Sequence, residues 1–257
     1  MWNIKEEDLD EFRMTCKDRL SPEGAMVFFI GGIVYTSVFM FFIFMGGLEY
    51  YNTFFDKTIV KIEIVLYSLQ IMFLILYSFP KMCFKLQKLQ TFVILLYAFQ
   101  LGTITFTALI LPGISEDSID RITLIYVGML FLGAVIVHIV TTIDSFKQAS
   151  EGAFSKDERS TSFFSKTKGN VMKWATLYAL ILLILICYHN DHGIDVLVLY
   201  AVGIVLLYTV AIGAAEFQLL AYCRFKFPSF NKTWEQHKRE TPRYRKRNKK
   251  GKSKRKA

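Results

Sequence analysis

The chain has 257 residues, 53% of them hydrophobic and 16% aromatic, with 24 Phe and only 5 Pro. A soluble domain would also bury a core, but it would not gather apolar residues into runs of about 20, the length at which a helix crosses the ~30 Å hydrocarbon of a bilayer. The formal charge of +9 is uneven: residues 224–257 carry 15 Lys/Arg against Glu235 and Glu240, a net +13 that leaves −4 for the rest. Six apolar runs leave no room for a separate soluble domain, and the chain reads as a slightly acidic membrane body with a cationic tail.

In chain order, residues 1–20 are charged, with Leu9, Phe12, Cys16 and Leu20 at helical spacing and Trp2 one heptad before Leu9. This predicts a short amphipathic helix lying on the membrane or on the bundle. Ser21-Pro22-Glu23 is a helix start, with Ser as N-cap, Pro at the first position and an acid in the first turn. The first 24 residues are acidic, and the apolar stretch after them is too long for an h-region, with no small-residue cleavage pattern before the next connector, so no cleaved signal peptide is expected.

The predicted spans are residues 25–47, 59–79, 91–111, 122–143, 171–188 and 196–223. Tyr50 and Tyr51 in the first connector fit the aromatic belt. Pro80 and Pro112 mark expected stops for the second and third spans. Residues 144–172 form the longest internal connector, and His189-Asn190-Asp191-His192-Gly193 a tight turn before the sixth span. No internal repeat is visible, so an inverted-repeat transporter lacks support.

Positive charge alternates between connectors. The N-terminal segment has 4 Lys/Arg, the second connector 3, the fourth 6 (counting Lys173) and the tail 15. The intervening connectors hold Lys57 (with Lys61 just inside its span), Arg121, and none. By the positive-inside rule both termini are expected in the cytoplasm. On that topology Cys16, Cys83 and Cys223 share the inner side and only Cys187 lies near the outer face, so no disulfide framework is expected.

Polar residues inside spans mark functional sites by default, because lipid makes them costly. Glu216, after Gly213-Ala214-Ala215 in the sixth span, reads as an ion or proton ligand, or as a carboxylate near the headgroups, hydrated or paired with a loop Lys. Lys61 and Glu63 lie near the outer end of the second span, two residues apart and so on different faces. Snorkelling accounts for Lys61, and Arg121 or Lys57 would be the cation for Glu63. Gln70 and Gln100, each near mid-span, define a polar seam between the second and third helices, with Thr103, Thr105 and Thr107 as further hydrogen-bonding groups. His138 is either a proton relay or a histidine hydrogen-bonded within the bundle. His189, Asp191, His192 and Asp195 are metal-capable, but they lack ligand spacing and make good turn chemistry, so no metal is assigned.

The phosphate-binding, metalloprotease and nucleophile-elbow motifs are absent, and no catalytic pair sits at intramembrane spacing. Neither an enzyme nor a cofactor is expected. The tail residues Arg243, Arg245, Lys246, Arg247, Lys249, Lys250, Lys252, Lys254, Arg255 and Lys256 are too charged to fold alone. Their expected role is attraction to anionic lipid headgroups, ~1 kcal/mol per basic residue near the surface. Nucleic acid or the ribosome is the weaker alternative, since Tyr244 is the lone aromatic of residues 238–257.

The expected fold class is thus an all-α integral membrane protein of the cell membrane. It is a six-transmembrane-helix bundle (residues 21–223), with a cytoplasmic amphipathic N-terminal segment (1–20) and a disordered basic C-terminal tail (224–257). The expected function is non-catalytic, through protein contacts in the bilayer: a subunit of a membrane complex, an immunity-type protector or a homo-oligomer. The alternative is a small-solute or ion transporter or channel whose path is lined by the polar intramembrane residues.

Overall fold

The computed structural model describes residues 3–18, 21–45, 51, 53–115, 119–155, 166–189 and 194–238. Among them every regular element is helical. A 3-10 turn, Glu7–Leu9, leads into α1 (Asp10–Asp18). Then come α2 (Pro22–Met45), α3 (Phe54–Ser78), the short α4 (Pro80–Lys85), α5 (Gln87–Ser115), α6 (Arg121–Ser150), α7 (Lys166–His189) and α8 (Ile194–Lys226). Apart from α1 and α4, each helix is long and apolar enough to cross a membrane, six in all.

Local chemistry sets several of the boundaries. Ser21 Oγ accepts the Gly24 amide at 3.1 Å with Pro22 at the first helical position, and Thr53 Oγ1 accepts the Asp56 amide at 3.2 Å. Both satisfy amides that a helix start leaves unpaired. Beyond the last residue of α2, the Tyr51 hydroxyl donates to the Ile43 carbonyl at 3.1 Å and closes that end. Phe79 is extended before Pro80, so α3 stops where proline requires and α4 begins on it. Pro112 does not stop α5, which carries it inside and runs to Ser115. Nor does residue 144 end α6: the helix continues to Ser150, and α7 begins at Lys166. Helical hydrogen bonding does not stop where the apolar sequence stops, so polar residues prolong both helices.

Two sets of helices, α2–α3–α5 and α6–α7–α8, meet along α5 and α8. That contact is close because it is made across glycine. A Cβ on Gly102 would lie 3.3 Å from the Leu207 Cα, and one on Gly203 3.1 Å from Thr105 Cγ2. Phe106, Leu130, Leu182, Tyr200 and Ala211 fill the core around α8. Phe29, Tyr77, Ile94 and Tyr97, with Met40, Val60 and Ile104, fill the space between α2, α3 and α5. α5 is the most enclosed of the six, α3 and α7 the least.

One end of the bundle, where α2 begins and α8 ends, is covered by the chain's own ends. Leu9, Phe12 and Cys16 are buried with Phe154, Leu219, Cys223, Phe227 and Phe230. The Glu11 amide donates to the Phe154 carbonyl at 3.0 Å, and Lys226 Nζ to the Ile4 carbonyl at 3.0 Å. Gly152 has φ +76 beside Asp8, a left-handed turn that a side chain would strain. Beyond α8, Gln87 holds Lys232 by both backbone groups, at 3.1 and 3.3 Å. Trp234 and His237 stack on each other and lie against Phe84, and His237 Nε2 sits 2.9 Å from Glu23. This end is called the terminal face below.

Candidate functional site

Three groups of interior polar side chains among the described residues hold the predicted site residues, each group tying different helices together. The first lies between α3 and α5, with α2 alongside. Glu63 is 5% exposed. Its Oε2 accepts from Gln100 Nε2 at 2.9 Å and its Oε1 from the Thr107 hydroxyl at 3.3 Å. Gln100 and Thr107 are two turns apart on α5, so one carboxyl bridges both. Neither Arg121 nor Lys57 is its partner, contrary to the sequence expectation. Two neutral donors hold Glu63, and no ion pair among the described residues includes it. Above the α2 contact, Tyr35 bonds to Thr105, and Ser37 to Tyr67 at 2.7 Å.

Gln70 is 1% exposed two turns along α3 from Glu63. Its amide abuts Gly32 of α2, where a Cβ would come within 3.2 Å of Nε2. The Oε1 atoms of Gln70 and Gln100 accept no hydrogen bond among the described residues. The expected glutamine seam is therefore a line of contacts to α2 and α5 in which Glu63 takes part, with no direct Gln70–Gln100 bond. Lys61 is exposed and stands apart from it.

The second group joins α6 to α8. His138 Nδ1 is 2.9 Å from the Ala211 carbonyl, and since a carbonyl only accepts, Nδ1 carries the hydrogen. Nε2 then accepts from Gln218 Nε2 at 3.0 Å, and Gln218 Oε1 accepts from the Thr142 hydroxyl at 2.9 Å. The Thr141 hydroxyl also reaches the Ala211 carbonyl, at 3.4 Å. Phe99 meets the imidazole edge to face.

The third group gathers charge near the terminal face. Lys168, 1% exposed on the first turn of α7, has the carboxylates of Glu216 on α8 and Asp144 on α6 as charged neighbours. Asp144 Oδ2 also accepts from Gln148 Nε2 at 2.6 Å. Glu216 is half-buried, so its surroundings are a charged cross-tie among three helices.

Sequence reasoning did not single out Lys168, Asp144, Gln218 or Thr142. Nor did it anticipate Arg224, which is buried and donates Nη1 to the Gln87 carbonyl at 2.8 Å and to Thr91. Gln90 Nε2 and Cys83 Sγ both donate to the Pro22 carbonyl at 3.1 Å. Burial pushes the Cys83 thiol above its ordinary range. The helical register offered one signal. Lys168 falls seven residues before Ala175 and eleven before Ala179, both buried, so it shares their inward face.

Outside these groups, His189 Nε2 pairs with Asp120 where α6 and α7 meet on the opposite face. Asp191, His192, Arg243 and the basic residues after it lie outside the described residues. Among those described, no three metal-capable side chains cluster. No family model matches the chain, and neither a curated protein nor a solved structure matches it at a significant level.

Proposed function

We propose that this chain is a non-catalytic multi-pass protein of the cell membrane that acts through protein contacts within the bilayer. In this reading it is a complex subunit or a protector against a membrane-active partner. The observation that carries the proposal is how its polar groups are used. His138, Gln218 and Thr142 are spent on one another and on Ala211, and Lys168 on Glu216 and Asp144, in cross-ties between neighbouring helices. Meanwhile α3 turns Ile62, Val65, Met72 and Ile75 outward, and α7 turns Trp174, Leu177, Ile181 and Ile184. A bundle tied internally and apolar outside is suited to recognition by shape and packing among helices.

In this reading both termini are cytoplasmic. The N-terminal helix and the residues around Trp234 close the inner end, and the basic tail rests on anionic lipid. Cysteines placed at Ser115 and Asn190 are labelled from outside intact cells, whereas one at Ser155 is protected; labelling at Ser155 would overturn the orientation. For the function, photo-crosslinkers at Val65 and Leu177 in native membranes give a discrete adduct with one partner or with a second copy. Adducts with lipid alone would sink the proposal.

A second reading, a transporter or channel for a small solute or ion, is favoured by one feature: Glu63, a deeply buried acid held only by neutral donors. Reconstituted protein that moves solute or charge above empty liposomes, and loses this in Glu63→Gln, would establish it.

A further inference from the structure

Glu63 raises a question the cross-ties do not. A charge at this depth is costly unless something neutralises it, and its two polar contacts, Gln100 and Thr107, are both neutral. Tyr67 and Asp56 on α3, Tyr35 on α2 and Tyr97 on α5 are the titratable groups that approach along the packed elements. Lys61 is exposed, and α4 lies at the far end of α3. None of these bonds to Glu63, whose neutral form must come from a ligand.

The hydroxyl of Thr107 indicates which ligand. It has one hydrogen and two acceptors in reach, Glu63 Oε1 at 3.3 Å and the Thr103 carbonyl at 3.4 Å. It can serve only one at a time. With Glu63 ionised, the hydroxyl donates to Oε1. With Glu63 protonated on Oε1, the acid donates to Thr107 Oγ1, and the hydroxyl hydrogen turns to the Thr103 carbonyl. Gln100 Nε2 donates to Oε2 in both cases. The same heavy-atom positions therefore satisfy both protonation states, and the exchange needs only the rotation of one hydroxyl.

A metal cation would fare worse there. Gln100 Nε2 and Thr107 both turn hydrogens to the carboxylate, whereas Na⁺ or a divalent ion requires oxygens directed at it and would have to recruit the Oε1 atoms of Gln100 and Gln70.

We propose that Glu63, with Thr107 and Gln100, is a reversible proton-binding site inside the helix bundle. The step balances simply: one O–H bond of a hydronium ion breaks, an O–H bond forms on Oε1, and a neutral water molecule is left. The site goes beyond the contact reading and supplies a coupling ion if the transport reading holds. It requires neither.

The test is infrared difference spectroscopy on the full chain in lipid nanodiscs across a pH series. The wild type shows the carbonyl stretch of a protonated carboxylic acid, which gives way to carboxylate bands as pH rises, and Glu63→Gln removes that pair of bands. Glu63→Asp shifts the acid band, so the assignment survives if Glu63→Gln fails to fold. Thr107→Val raises the proton affinity roughly three- to tenfold, because it removes a bond that is stronger to the ion than to the acid. A spectrum without any acid band sensitive to Glu63, at every pH where the protein is folded, would overturn the proposal. So would loss of the band on adding Na⁺ at fixed pH, which would make the ligand a metal cation. Flux assays on the same preparation separate the two ideas: acid bands without flux retain the proton site and dismiss transport.

Discussion

The two polar centres on either side of the α5–α8 contact both hydrogen-bond between helices, yet they meet a proton in opposite ways. Around His138 a chain of bonds runs from the Thr142 hydroxyl through Gln218 and the ring to the Ala211 carbonyl, which the Thr141 hydroxyl also reaches at 3.4 Å. Adding a proton there would create a charge and break that order. Around Glu63 one hydroxyl chooses between two acceptors, and adding a proton removes a charge. Hydrogen-bond satisfaction alone thus does not separate structural from functional polar groups in a membrane interior. Whether an added proton creates a charge or removes one does.

The largest expected effect comes from separating the two halves. Gly102→Leu forces a side chain against the Leu207 Cα, where backbone cannot yield, and should cost about 3 kcal/mol. Thermal unfolding in detergent would show it, and Gly31→Leu, which meets nothing within 4 Å, is the control that should stay near wild type. A small loss at Gly102 would mean the halves do not depend on that contact.

Next, His138→Phe strips partners from Ala211 and Gln218 and should cost about 1–3 kcal/mol. Glu63→Gln, which keeps an acceptor for Gln100, should cost about 1 kcal/mol or less. If the order is reversed, His138 is the adaptable centre and Glu63 the fixed one.

Chemical labelling probes the closed terminal face beneath the Glu63 half. Burial raises the Cys83 thiol, so less of the reactive thiolate is present at neutral pH. Alkylation of Cys83 should be about tenfold slower than that of Lys81→Cys, an exposed position, and should accelerate as pH rises. Equal rates would mean that this face opens in solution.

The smallest effect is expected on the His138 half at its far end. Asp120→Asn removes the pairing with His189, but both partners are partly exposed, so the loss should stay below about 1 kcal/mol. A larger loss would show that this end anchors α6 to α7.

Much of this was legible in the sequence because lipid leaves few options. Runs of apolar residues give the six helices, and Ser21-Pro22 marks the start of α2. The spans ended less well. Pro112 sits inside α5, and polar residues extend α6 to Ser150, because backbone hydrogen bonding continues beyond the apolar stretch. Among candidate site residues, Glu63, Gln70, Gln100, His138 and Glu216 were visible as polar residues in apolar surroundings. Glu63's partners Gln100 and Thr107 were visible in the same way, whereas Gln218, Thr142 and Lys168 look like ordinary polar residues until another helix lies beside them.

The sequence by itself determined the class of the protein, because hydrophobic length and the need to satisfy every backbone amide permit only helices in such runs. Only the tertiary structure decided which polar group faces which. A carboxyl at position 63 is the same group whether Lys57, Arg121 or Gln100 stands opposite. That choice depends on helix rotation and on the close approach of helices across glycine, as at Gly32 and Gly102. With Gln100 and Thr107 opposite, Glu63 has no countercharge among the described residues, and the geometry makes it a place for a proton.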